Sequence, residues 1–155
     1  MRASPREPED WSELSHAAEA VVVNAYAPYS HLRVGAALEG ESGRIYTACN
    51  VENSSFGLTV CAERAAVFQA VAKGERNFAR LAIFTPDAGP LSPCGACRQV
   101  LVEMGREVHV RSVGRGGLTR EFLLSELLPQ AFGWPAGEAQ SQSEAGDRED
   151  HPASG

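Results

Sequence analysis

No apolar run in these 155 residues approaches the roughly 20 that a membrane-spanning helix needs. The first ten residues carry Glu7, Glu9 and Asp10 and hold no apolar stretch of the secretory kind, so no signal peptide is expected. No segment repeats. Basic charge is not in excess either. Residues 14–134 hold 11 Arg/Lys against 11 Asp/Glu, which is no footprint for a polynucleotide. The net charge of −6 comes from the two ends, where acids such as Glu9, Asp10, Glu149 and Asp150 outnumber the arginines. Arg106, Arg111, Arg115 and Arg120 are the nearest thing to a basic stretch, and they suit solvated positions on strands and a turn. Neither a membrane nor a nucleic-acid partner is expected. Cysteine is scarce, at four residues. With no export signal the expected compartment is cytoplasmic, where thiols stay reduced and a C-x-x-C favours metal or redox chemistry over a disulfide.

What is present suits one domain with a real core: 43% of the residues are apolar. Residues 1–10 read as a flexible leader, and 135–155, rich in Gly, Ser, Gln and acids, as a disordered acidic tail. Between them, Leu14, Ala17, Ala18, Val21, Val22 and Ala25 recur at helical spacing, with Ser12 as N-cap candidate and Pro28 as terminator. Arg33 to Leu38 and Arg44 to Cys49 read as a hairpin. Asn50 to Thr59 is a polar loop of the kind that carries function. A second helix spans Cys61 to Lys73 and stops at Gly74. Leu81 to Phe84 is a short strand, 94–104 a third helix, Val108 to Val113 a strand, Leu118 to Arg120 another, and Phe122 to Leu127 a last helix. Strands interspersed with helices predict an α/β domain in helix/sheet/helix layers.

Three thiols fall into a chemical pattern: Cys61 in Cys61-Ala62-Glu63-Arg64, then Cys94 and Cys97 in Pro93-Cys94-Gly95-Ala96-Cys97. Cys94 and Cys97 are i and i+3 at a helix start, so both can face one way. Three cysteines form a zinc site with its fourth position open, the catalytic rather than the structural kind. Zinc lowers the pKa of bound water from about 15.7 towards neutrality, and Glu63 is the group to move protons. Cys61 and Glu63 at i and i+2 would point apart on a regular helix, which places Cys61 at the cap and Glu63 in the first turn, turned inward. Three thiolates on Zn²⁺ leave a formal charge of −1. The two helix starts and Arg64 can offset it. Cys49 is left over; as a fourth ligand it would close the site and make it structural, and otherwise it is a buried thiol.

The order Ala25-Tyr26-Ala27-Pro28-Tyr29-Ser30, Val34-Gly35-Ala36-Ala37, Asn50-Val51-Glu52-Asn53, Cys61-Ala62-Glu63, Ser92-Pro93-Cys94 through Arg98-Gln99-Val100 and Glu126-Leu127-Leu128-Pro129 resembles the zinc-dependent cytidine deaminase family in its small homotetrameric branch. The resemblance covers roughly residues 11–134. It implies a three-layer cytidine deaminase-like fold with a mixed sheet, and zinc held by Cys61, Cys94 and Cys97 as the only cofactor. Glu63 would be acid and base in the hydrolysis of cytidine or deoxycytidine to the uracil nucleoside and ammonia, a reaction of pyrimidine salvage. It also implies a homotetramer. Asn50 and Glu52 alternate along an extended stretch, and an amide and a carboxylate suit sugar hydroxyls; the resemblance assigns them the ribose 3′-hydroxyl. It assigns Phe132 to a neighbouring subunit's base, although Phe132 could equally plug its own core. The family usually has Phe where Leu32 stands against the base, and many members have Tyr where Phe56 stands. Two rivals remain at this level: a same-fold deaminase of a modified cytosine nucleoside, of the blasticidin type, and a noncatalytic zinc module using all four cysteines.

Overall fold

The computed structural model describes residues 10–133. Apart from Asp10, the leader expected over 1–10 lies outside the described residues, and so does the tail expected over 135–155.

The first helix, α1, runs Ser12–Val21 and tightens into a single 3-10 turn over Val22–Asn24. Ser12 is not its N-cap; Trp11 stands there and Ser12 is the first helical residue. Asp10 is the reason. Its carboxylate accepts from the Ser12 N–H at 2.9 Å and from the Ser12 hydroxyl at 2.7 Å, satisfying the first of the N–H groups that a helix start leaves unpaired and occupying the hydroxyl. Leu14 and Ala18, one turn apart, bury against Ala37 and Ala82 of the sheet together with Trp11.

Five strands follow: β1 Gly35–Gly40, β2 Ile45–Cys49, β3 Phe78–Phe84, β4 His109–Val113 and β5 Thr119–Leu123. They lie in the order β2-β1-β3-β4-β5, antiparallel except for the parallel pair β3–β4, so the sheet is mixed. Helices α2 (Ala62–Ala72), α3 (Gly95–Met104) and α4 (Leu124–Leu127) complete the chain. Strand alternation sorts the layers. Ala37 and Ala82 face α1, whereas Ala36, Leu38, Leu81 and Ile83 face Ala62, Ala66, Val67 and Ala70 of α2 and Leu101 of α3. The result is the expected helix/sheet/helix α/β fold. Gly35 lets the outer layers close, because a Cβ there would run into the Ala18 carbonyl of α1.

Several boundaries differ from the sequence expectation, each for a tertiary reason. β1 begins at Gly35 rather than Arg33, because the Arg33 backbone N–H and guanidinium are taken by the Asp87 carboxylate at 2.8–2.9 Å. β3 reaches back to Phe78, since β1 continues to pair with it as far as Gly40. Phe122 and Leu123 belong to β5, where they pair with Val110 and His109, and only four helical residues remain in α4.

This topology sets the position of the cysteines. A parallel pair needs a long crossover, and α3 is that crossover for β3–β4. It starts beyond the C-terminal end of β3, after the loop 85–93. α2 starts after the loop that leaves β2 at Cys49. Gly74, at φ 88°, ends α2 with its N–H on the Val71 carbonyl at 3.0 Å.

Candidate active site

Cys61 and Cys94 are the N-cap residues of α2 and α3, both with extended backbone (ψ 153° and 165°), and Cys97 sits in the first turn of α3, fully buried. Their sulfurs converge. Cys61 Sγ lies 3.8 Å from Cys94 Sγ and Cys94 Sγ 3.5 Å from Cys97 Sγ, and all three lie within 4.8 Å of one another. Two helix N-termini therefore aim their unpaired N–H groups and partial positive charge at the same spot. Cys49, at the end of β2, is no member of the group, and burial raises its thiol pKa. The fourth ligand that a closed structural site would need is thus not supplied by Cys49.

Glu63 is the second residue of α2 and only 7% exposed. Burial holds its carboxyl up, from the ordinary 4.5 to about 7, and the neighbouring Cys61 sulfur pushes the same way. Cys61 moves oppositely. A hydrogen bond from Cys97, helped by Arg64 and Cys94, pulls it down to about 5 against its burial. Cys97, which keeps its proton in that bond and is itself buried, moves up. The Arg64 guanidinium sets Nη2 3.0 Å from the Thr59 carbonyl and 3.9 Å from Cys61 Sγ, while its buried Nε has no partner among the described residues.

The loop after β2 brings up Asn50 and Glu52, and both bond the segment 29–34. Asn50 is buried; its Oδ1 accepts from the Val34 N–H at 2.9 Å and its Nδ2 donates to the Leu32 carbonyl at 2.8 Å. The Glu52 carboxylate accepts from the Tyr29 and Ser30 N–H groups at 2.8 and 3.3 Å and from the Ser30 hydroxyl, and these bonds hold it below its usual pKa. Leu32 packs, half-buried, on the edge of the main core. A cleft of about 330 Å³ opens among Tyr29, Ser30, Glu52, Phe56 and Thr59, with Tyr29 and Phe56 edge to face at 5.5 Å. Phe132 is 71% exposed and so does not plug the chain's own core; Gln99 Nε2 donates to its carbonyl at 2.9 Å.

The family model described as the cytidine and deoxycytidylate deaminase zinc-binding region matches residues 8–112. The chain belongs to that family. A cytidine deaminase of Sporosarcina psychrophila is 49% identical over 109 residues, which is 70% of this chain and 80% of that one. One from Mycobacterium tuberculosis is 42% identical over 125 residues, 80% of this chain and 90% of that one. The crystal structure of a cytidine deaminase from Burkholderia pseudomallei superposes with a TM-score of 0.76 at 45% identity, covering 80% of this chain and all of that one.

The thiol group suits the zinc of this deaminase family. Three soft donors converge, two of them at helix N-termini, and three protein ligands are the open arrangement of a catalytic zinc. Beside them stands a carboxyl whose pKa lies near neutrality, where a single group can both take up and give back a proton. Arg98 belongs to the stretch that carries the family resemblance, but its bonding partners were not legible in the sequence. Arg98 bonds the Pro93 carbonyl at 2.7 Å, the Ser92 hydroxyl at 2.8 Å and the Leu127 carbonyl at 2.9 Å. Its closeness to the C-x-x-C was the available signal, but an arginine on a helix is ordinarily solvated, and its partner at Leu127 is far off in sequence.

Proposed function

We propose that this chain is a zinc-dependent cytidine and deoxycytidine deaminase. It replaces the C4 amino group of the pyrimidine by an oxygen from water and releases uridine or deoxyuridine with ammonia. The observation that carries the reading is the convergence of three thiols beside a buried carboxyl whose pKa is pushed up to about 7. Cys61, Cys94 and Cys97 hold the zinc, which supplies a Lewis acid that brings water within reach of ionisation at neutral pH. Glu63 carries the protons: its carboxylate takes one from water and gives it to the pyrimidine N3, then takes the second from the oxygen that has added to C4 and delivers it to the departing amine. Burial suits it to this work, since a carboxyl near pH 7 is almost as willing to accept as to donate. Arg64 stands against Cys61 and offsets the negative charge of the thiolates.

On this reading Asn50 and Glu52 face the ribose. Each already uses part of its capacity on the 29–34 segment, which fixes their orientation, and each retains some for a hydroxyl: one N–H on Asn50 and a remaining lone pair on Glu52. Leu32, bonded through its carbonyl to Asn50, offers apolar contact to the base without an aromatic face. Leu32 and Phe56, the two departures from the usual family residues, are where a preference for a modified cytosine nucleoside would arise. Phe132 serves a neighbouring subunit of a homotetramer, a role favoured by its exposure; Phe56 and Phe68 at 71% and 52% exposed add apolar surface that an assembly would cover. Three reduced thiolates require a reducing compartment, which supports a cytoplasmic place in pyrimidine salvage.

The test is ammonia release by the purified protein from cytidine, deoxycytidine, cytosine and CMP. The two nucleosides should be turned over and cytosine and CMP hardly at all. Equal turnover of cytosine would remove the ribose from the recognition, and no turnover of any of the four would refute the function.

A further inference from the structure

The loop that delivers Cys94 is tied to β4 as far as Leu91, whose N–H donates to the Ser112 hydroxyl at 2.8 Å, while Arg33 bonds Asp87 and Arg115 bonds the carbonyls of Pro86, Asp87 and Ala88. Residues 85–93 contain Pro86, Pro90 and Pro93, which donate no backbone hydrogen bond. Cys94 at its end is the most exposed of the three converging thiols. Past Leu91, one side chain holds the two residues that lead into Cys94. The Arg98 guanidinium, one turn into α3, reaches back with Nε to the Pro93 carbonyl and with Nη2 to the Ser92 hydroxyl, while Nη1 crosses to the Leu127 carbonyl at the end of α4. The Arg98 backbone N–H also bonds the Cys94 carbonyl at 3.0 Å. Every bond of the side chain therefore lands either on the two residues before Cys94 or on the C-terminal strap that leads to Phe132. The rigid fork of a guanidinium can hold three acceptors in one plane, which no lysine could do.

We infer that Arg98 is a positioning residue for the metal: it fixes the Ser92-Pro93-Cys94 turn so that the Cys94 thiol is held ready beside Cys61 and Cys97, and it anchors that turn to the segment carrying Phe132. The inference rests on the assignment of zinc to these three cysteines. A thiolate that is already placed binds without the entropy of ordering its loop, so the clamp acts on metal retention before it acts on chemistry. Side chains that orient ligands in this way are worth about 10–100-fold in metal affinity. Arg98 acts one residue back from the ligand, so the low end, about tenfold, is expected.

The experiment is transfer of zinc from the purified, zinc-loaded protein to a competing chelator, for wild type, Arg98→Gln, Ser92→Ala and Arg76→Gln. Arg76 is the control: it also bonds two carbonyls, of Val71 and Glu75 at 2.9 Å each, but at the far end of α2. Arg98→Gln should release zinc about tenfold more readily, Ser92→Ala by a smaller factor, and Arg76→Gln as wild type does. Retention by Arg98→Gln equal to wild type overturns the inference and leaves the zinc assignment standing. Equal loosening by Arg76→Gln overturns it too, because the effect would then be general loss of stability. Should Arg98→Gln not fold, Ser92→Ala decides alone: looser zinc supports the clamp and unchanged zinc removes it. A wild-type protein that holds no zinc brings down the proposed function, and this inference with it.

Discussion

Replacing Glu63 by Gln should separate catalysis from stability in opposite directions. The side chain is almost isosteric and nearly buried, so fold and zinc content should survive. Turnover should not. Proton transfers by a placed group contribute about 10²–10⁴-fold, and the proposed mechanism gives this one carboxyl several transfers, so cytidine deamination should fall by at least that range. Stability responds to pH in a way that can be worked from the structure. The unfolded carboxyl releases its proton near 4.5, whereas the folded one keeps it to about 7. The folded state therefore binds more protons across that window. The contribution of Glu63 to stability is full below 4.5 and is lost as pH rises through 7. The difference corresponds to about 3 kcal/mol. Gln has no such titration. In metal-free protein, unfolded with urea at about pH 4 and about pH 8, the stability of Glu63→Gln relative to wild type should rise by about 3 kcal/mol between the two pH values. A constant penalty for burying an amide, about 1–3 kcal/mol, cancels from that difference. A pH-independent gap between the two proteins would mean that Glu63 is not held protonated by its burial. A loss of only a few-fold in turnover would make it a structural residue.

The thiols are tested by contrast: Cys94→Ala should lose zinc and activity together, while Cys49→Ala, outside the convergent group, should keep both, as metal analysis beside the ammonia assay will read. Arg64→Ala should lower zinc retention or turnover by about 10–100-fold, and unchanged values for both would make its approach to Cys61 incidental. Glu52→Ala frees the Tyr29 and Ser30 N–H groups and removes the proposed ribose contact, so KM for cytidine should rise and the preference over cytosine should shrink. An unchanged preference would show that Glu52 only holds the turn.

The zinc chemistry was legible in the sequence because it is local. Cys94 and Cys97 share one helix start, and Cys61 with Glu63 needs only the assumption that the thiol sits at the cap, which the extended ψ of 153° at Cys61 bears out. The layers were legible for a similar reason, since period-two alternation at Ala36-Ala37-Leu38 and Leu81-Ala82-Ile83 assigns each side chain a face. What escaped is bonding over distance. Asn50 and Glu52 could be seen to share a face, but not that their polar atoms bond residues 16–23 positions back in the chain. The end of the sheet escaped likewise. Phe122 and Leu123 look helical beside Leu124 to Leu127, and only β4, through its antiparallel ladder, draws them into a strand. Ser12 is a different case: the competing signal is local, because Asp10, two residues earlier and also a capping type, takes its N–H.

The measurement closest to the central claim is ammonia release from cytidine by one preparation in three states: as purified, stripped of metal by a chelator, and restored with one equivalent of zinc per chain. The account predicts turnover in the first state, none in the second with the fold intact, and recovery in the third. Undiminished turnover by the stripped protein would contradict it.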